Sequence, residues 1–264
     1  MINILLPGIN IFGAEKLVGQ FEFPLAYNLA ATFLFALTGV ILATKRGYDL
    51  IGVGIMALIA GAGGGLIRDG IFLQQGPVLF IQSPQFILAV FYAIVVGSFA
   101  YHVVKKFDGL FFFADALGLG IYGVIGAQMT LNVGLGIMAS IIVGFTSAIG
   151  GGILRDVLIK KEPVIFFPGQ YYALAALVGI CTFLVLGAQL HIPAQISAVI
   201  AIGVTFVMRL AAMKFDLESK PLADFADVNR DQFFNLMDSI KPVVKPVVRT
   251  VKKATKKKRA TKKH

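Results

Sequence analysis

Charge, thiol and tryptophan are all scarce in this chain of 264 residues. Charged side chains make up 14% of it, where a soluble domain carries about a quarter. Apolar residues reach 57% and the mean hydropathy is +0.82, so the chain is expected to live in lipid. Tryptophan is absent, and the aromatic mass of 23 phenylalanines and 7 tyrosines reads as lipid-facing and packing bulk. The lone cysteine, Cys181, excludes an intrachain disulfide and a thiolate metal cluster. It is expected to be a small packing residue in the middle of an apolar span. Metal-ligand spacing, a phosphate loop and a triad context are missing, so no enzyme activity, metal site or cofactor is expected, only a permeant ion. His102 and His191 fall at expected helix ends and read as interfacial. The stretch after Met1 does not combine a positive region, an apolar core and a small-residue cleavage site, so no removable signal peptide is expected.

Uncharged sequence is what the chain has in abundance. Such runs extend from Phe23 to Thr44, Leu50 to Ile67, Gly70 to Val104, Ala116 to Leu154 and Pro163 to Met208. A bilayer core takes about 20 residues per helix, so the last three runs must fold back on themselves. Gly76-Pro77 and Ser83-Pro84, Asn132-Val-Gly, Pro168-Gly169 and His191-Ile-Pro193 supply the turns. Helices are therefore expected near 23–44, 50–73, 84–104, 111–130, 133–159, 169–189 and 193–211. Lys45 and Arg46, Lys105 and Lys106, Lys160 and Lys161, and a basic tail follow the first, third, fifth and seventh of these. All four basic segments fall on one side, which the positive-inside rule makes cytoplasmic, with the N-terminus outside. The first span is expected to act as the insertion signal.

The chain also repeats itself. GAGGGLIRDG at 61–70 returns as AIGGGILRDV at 148–157, an offset of 87 residues that also superposes Asn28 on Asp115 and Phe35–Gly39 on Tyr122–Gly126. Each copy holds three helices, an odd number, so the second must enter the membrane upside down. The expected fold class is an all-α integral membrane protein with seven transmembrane helices, two inverted three-helix repeats plus a seventh helix. Its parts are an external N-terminal segment (1–22), the first repeat (23–108), the inverted repeat (109–190), the seventh helix (191–214), an amphipathic linker (215–240) and a disordered basic tail (241–264).

Within that frame a few residues stand out. Gly63, Gly64 and Gly65, and Gly150, Gly151 and Gly152, remove side chains all around a lipid-spanning helix. Helix packing needs only one small residue per turn, so the triplets are read as local breaks whose freed carbonyls face a wet path. Arg68 lies about 27 Å along its helix and reads most plainly as a snorkelling end residue. Its recurrence at Arg155 favours a place in a pathway or gate, because a buried arginine costs about 2.5–3.5 kcal/mol on insertion scales. Neighbours along a helix do not face each other, so Arg68 and Asp69, and Arg155 and Asp156, are not expected to pair. Asp115 is the expected partner of Arg155, and Asn28 the uncharged equivalent beside Arg68. Thr38 joins these as a pathway polar residue.

Lys241 to His264 carries eleven basic residues and no acid, against 13 basic and 14 acidic in the rest of the chain. Anionic lipids are the expected partner of Lys241 to Lys263, since each such charge contributes about 1 kcal/mol near an anionic leaflet. Nucleic acid is the sharper, less favoured alternative. Phe233, Leu236, Met237 and Ile240 fall at helical spacing, as on a surface helix.

The duplicated GGG-x-x-RD motif, with three helices per repeat and one more, resembles the trimeric intracellular cation (TRIC) channels. The similarity runs from about Pro24 to Ala211 and is strongest to their prokaryotic relatives, some of which are described as glycine transporters. The resemblance implies a homotrimer in a prokaryotic inner or plasma membrane, with one potassium-permeable path per protomer and helices broken at the glycine triplets. The basic lipid-binding motif of eukaryotic members is not evident here. Spacing leaves three readings open: a cation channel, a carrier of glycine or another small amino acid, and a membrane tether for nucleic acid.

Overall fold

The computed structural model describes residues 25–104, 109–166 and 171–215. The helices are α1 (Leu25–Lys45), α2 (Leu50–Ile67), α3 (Leu79–Gln82), α4 (Gln85–Val104), α5 (Gly109–Asn132), α6 (Ile137–Leu158), α7 (Tyr172–Leu184) and α8 (Ala194–Lys214). Two of them end in a wider π turn, Arg68–Leu73 after α2 and Val185–Gln189 after α7. Five helices are long and apolar enough to cross a membrane, and Gln85–Phe99 and Tyr172–Gly187 are shorter apolar stretches.

Local chemistry sets the ends. Asp49 caps α2 by accepting the Gly52 amide at 2.8 Å, satisfying one of the first-turn donors that a helix leaves open. Gly134, with φ of +84°, closes the tight connection from α5 to α6 where a side chain would be strained. Pro193 opens α8, where its missing N–H is no loss. The expected helix bounds agree with the structure to within a few residues, apart from α6, which begins four residues late because the turn at Asn132 runs on to Gly136. The one-turn helix α3, between Gly76-Pro77 and Ser83-Pro84, was not expected.

α1 packs against α2, α4 and α5; α5 packs against α1, α6, α7 and α8; α2 crosses α6. The core is correspondingly divided. One cluster gathers Ala36, Val40, Met56, Ala57 and Ala93 between the first helices, and another gathers Val124, Ala127, Ile180, Phe183 and Ala198 between the later ones. Phe35 and Tyr122 join them, with ring centroids 5.6 Å apart.

Two expectations are corrected. α2 and α6 run as unbroken α-helix through both glycine triplets, for a reason that belongs to their crossing. Cys181 lies on an exposed face of α7, so it is not a packing residue. The expected segments 1–22, most of 215–240 and all of 241–264 lie outside the described residues, as do Lys105, Lys106 and the Pro168-Gly169 turn.

Candidate functional site

The glycine triplets form the place where α2 meets α6. A Cβ added to Gly64 would overlap the carbonyl oxygen of Ser147, and one added to Gly151 would overlap that of Ala60. A Cβ on Gly63 would lie 2.9 Å from Leu154 Cδ1, and one on Gly150 2.6 Å from Ile67 Cδ1. Under the offset of 87 residues these contacts are the same contacts exchanged, so the two glycine segments grip each other reciprocally. Close packing explains Gly63, Gly64, Gly150 and Gly151, and the helices stay intact because the glycines serve the approach of two backbones. Gly65 and Gly152 have different surroundings. A Cβ at either would sit 3.8 Å from the Nη2 of the following arginine, Arg68 or Arg155, an ordinary contact distance, and one at Gly152 would also lie 3.2 Å from the Tyr172 hydroxyl.

The first arginine is sealed. Arg68 is 1% exposed, donates from Nε and Nη2 to the two Asp69 carboxylate oxygens at 2.6 and 3.0 Å, and from Nη1 to Asn28 Oδ1 at 3.3 Å. Asp69 Oδ2 also accepts the Leu79 amide at 3.2 Å, tying the π turn to α3. The second arginine has a larger set of partners. Arg155 donates from Nε to Asp156 Oδ1 at 2.9 Å, and from Nη1 to Asp115 Oδ1 at 3.1 Å and Thr38 Oγ1 at 2.9 Å. Thr38 hands its own proton to the Phe35 carbonyl at 2.7 Å. The Arg155 guanidinium lies 4.9 Å from the Phe111 ring centroid.

The structure thus brings Asp115 to Arg155 and Asn28 to Arg68, and it corrects the exclusion of the adjacent pairs. The facing rule describes where the Cβ atoms sit on the helix surface. An arginine stem is long enough to turn sideways and present the Nε edge of its guanidinium to the next residue's carboxylate. Both arginines do so, one at a π turn and one in regular α-helix. Taking an ion out of water costs several kcal/mol unless it is paired and hydrogen-bonded, and this double coordination supplies both.

Four further residues belong to the site. Arg209 of α8 is 2% exposed; its Nη2 stands 3.8 Å from Asp115 Oδ2 and its guanidinium 4.7 Å over the Tyr172 ring. The buried Tyr172 hydroxyl has no hydrogen-bond partner among the described residues. Together with Asp115, Arg155, Asp156, Gly152 and Phe111 these two line a cavity of about 40 Å³. Tyr122 and Thr32 belong to the site outside that cavity. The Tyr122 hydroxyl donates to the Gly61 carbonyl at 2.7 Å and stands 2.8 Å from Thr32 Oγ1.

Position along α1 orders the groups. Asn28 and Thr38, which touch the two arginines, are ten residues apart, about 15 Å of helix. Thr32 and Phe35, both against Tyr122, lie between them. The chain therefore holds two charged clusters separated by an aromatic and hydroxyl septum. Arg209 falls inside the expected seventh helix (193–211), directly after the uncharged run ending at Met208, and nothing in the sequence singles it out from the other basic residues near helix ends. α8 runs on to Lys214, more than a turn beyond it. Tyr122 was visible as the offset equivalent of Phe35, whereas nothing distinguished Tyr172 from its neighbour Tyr171.

Comparison with known proteins agrees with this architecture. A sequence model of the glycine transporter family matches residues 25–102 and 112–188, one segment for each repeat. The UPF0126 inner membrane protein YadS of Escherichia coli is 29% identical over 195 residues, 72% of this chain and 92% of that protein. A UPF0126 membrane protein of Deinococcus radiodurans is 30% identical over 154 residues, 58% of this chain and 71% of that protein. Among solved structures, the TRIC trimeric intracellular cation channel orthologue of Rhodobacter sphaeroides superposes with a TM-score of 0.68 at 30% identity, covering 73% of this chain and 98% of that one.

Proposed function

Because this chain belongs to the glycine transporter family and shares its fold with prokaryotic TRIC channels, we propose that it is a cation channel of the inner membrane. Each protomer of a homotrimer passes potassium and other monovalent cations along its own path. The path runs from the Arg68 cluster through the Tyr122 septum to the Arg155 cluster, and the seven spans form two inverted repeats with the seventh helix outside the duplication. The N-terminus lies outside and the C-terminus in the cytoplasm, where Lys241 to Lys263 rest on anionic lipid.

One observation carries this reading. Two buried charged clusters, each made of an arginine with acidic and hydrogen-bonding partners, are strung about 15 Å apart along α1, with Thr32, Phe35 and Tyr122 between them. Intramembrane charges of this kind mark ion and substrate pathways. The septum is closed by the Tyr122 hydroxyl, which donates to the Gly61 carbonyl and is hydrogen-bonded with the Thr32 hydroxyl, so conduction requires it to part. No enzyme chemistry and no cofactor enter the proposal.

A second reading, a glycine or small amino acid carrier, has its own support in the cavity at Asp115, Arg155, Asp156, Tyr172 and Arg209. It presents cations to a carboxylate and carboxylates to an ammonium. Purified protein in planar bilayers under a potassium gradient, beside counterflow of labelled glycine into proteoliposomes, separates the two. Ion current without glycine counterflow supports the channel. Saturable glycine counterflow without current sinks it.

A further inference from the structure

The two clusters keep the same net charge by different means. In the first, Arg68 is balanced by Asp69, and Asn28 is neutral. In the second, Asp115 stands at the position of Asn28 and adds a negative charge. Arg209, from a helix that has no counterpart in the duplication, brings the compensating positive one. Arg209 is not seated on Asp115 as Arg155 is. Its Nη2 stands 3.8 Å from Asp115 Oδ2, beyond hydrogen-bond range, while Arg155 Nη1 is 3.1 Å from Oδ1 of the same carboxylate. The ring of Tyr172 holds the other side of the Arg209 guanidinium. Beside these groups lies the cavity of about 40 Å³, which at about 10–15 Å³ per water has room for a few waters or a partly dehydrated alkali cation. The Tyr172 hydroxyl lines it, buried and without a hydrogen-bond partner among the described residues.

We propose that Asp115, Asp156 and the Tyr172 hydroxyl form a binding site for a monovalent cation, and that Arg209 is the tethered counter-charge occupying it in this conformation. This inference rests on the channel reading. Arg209 and a permeant cation compete for one carboxylate: with Arg209 in place the cluster is neutral, and with it withdrawn the cluster carries one excess negative charge and the cavity accepts an ion. Two carboxylates and a phenol oxygen supply hard oxygen ligands of the kind that replace a cation's water. Because Arg209 lies in the last turns of α8, a displacement of that helix end sets the occupancy of the site. α8 would then be the element through which the cytoplasmic side governs conduction.

The experiment compares Arg209→Gln, Arg209→Lys, Asp115→Asn and the double variant Asp115→Asn with Arg209→Gln, each reconstituted as the full chain in proteoliposomes under a potassium gradient. Arg209→Gln should raise potassium flux about fivefold or more, the factor for one unit charge at this range even in bulk water, and should move the reversal potential toward that of potassium. Arg209→Lys should keep flux low, Asp115→Asn should abolish it, and the double variant should fall between the two single ones. Arg46→Gln, at an exposed residue that does not line the cavity, controls for surface charge and should change nothing. Unchanged or lower flux in a monodisperse Arg209→Gln protein overturns the proposal. If that variant does not stay monodisperse, Asp115→Asn decides: retained or raised flux overturns the proposal equally. If the unaltered protein passes no cation at all, the channel reading itself fails, an outcome distinct from a conducting protein whose Arg209 variants behave like the parent.

Discussion

The Arg68 and Arg155 clusters descend from one motif, yet they are wired differently. Arg68 takes its partners from its own repeat and is shut behind α3, whose first amide is held by Asp69. Arg155 reaches out of its repeat to Thr38 on α1, shares Asp115 with a second arginine from α8, and borders a cavity. The first two glycines of each triplet make the same contacts in exchange, so the helix crossing does not set the difference, although Arg68 opens a π turn where Arg155 stays in regular α-helix. The difference comes from single side chains, Asn28 against Asp115 above all. A duplicated scaffold can thus hold one site closed and leave the other adjustable.

Removing an arginine tests that contrast most severely. Arg155→Gln leaves the Asp115 and Asp156 carboxylates short of a partner, and breaking a buried pair costs about 3–5 kcal/mol. Arg68→Gln leaves only Asp69, which keeps the Leu79 amide. Arg155→Gln should therefore lower the melting temperature in detergent more than Arg68→Gln, and equal losses would erase the distinction drawn here. The glycines come next. Gly64→Ala and Gly151→Ala each push a methyl into a carbonyl of the facing helix, and overpacking of this kind costs about 1–3 kcal/mol. Their losses should match, because the contacts are reciprocal; a large disparity would break that reciprocity.

Smaller effects sharpen the picture. Thr38→Val removes a hydrogen bond to a charged group, a loss of about 1.5–3 kcal/mol. A double-mutant cycle with Arg155→Gln should show coupling in thermal stability, while Thr38→Val with Arg68→Gln should be additive. Additivity in both would remove the bond between the repeats. Smallest is the third glycine: a Cβ on Gly65 meets nothing closer than 3.8 Å, whereas one on Gly152 would press at 3.2 Å on the Tyr172 hydroxyl. Gly65→Ala should be nearly silent in stability, and Gly152→Ala should change potassium flux through its effect on the cavity. A flux change in Gly65→Ala alone would invert the assignment of the adjustable site.

The helices and the duplication could be read directly from uncharged runs, turn residues and the offset, because lipid leaves the backbone no choice but helix at those lengths. The partners of Arg155 at Asp115 and of Arg68 at Asn28 followed from topology as well. Two kinds of information were absent. Whether three glycines loosen a helix or admit a neighbour depends on what lies across from them, and Ser147 and Ala60 give no sign of that in one dimension. Arg209 was hidden for a related reason. A positive residue at the end of an apolar run has the same sequence signature whether it points to lipid headgroups or back into the protein.

The sources of the partners also have a meaning in time, since a membrane protein is inserted as the ribosome makes it. By the time the first three spans have emerged, Arg68 has met both Asn28 and Asp69. Arg155 finds Thr38 and Asp115 already waiting and Asp156 next in line, but that group then carries one unbalanced negative charge. Only α8, the last of the described helices, brings Arg209 and ends that imbalance. A nascent chain interrupted before α8 would hold a stranded carboxylate in the bilayer, an electrostatic mark by which an unfinished molecule differs from a finished one.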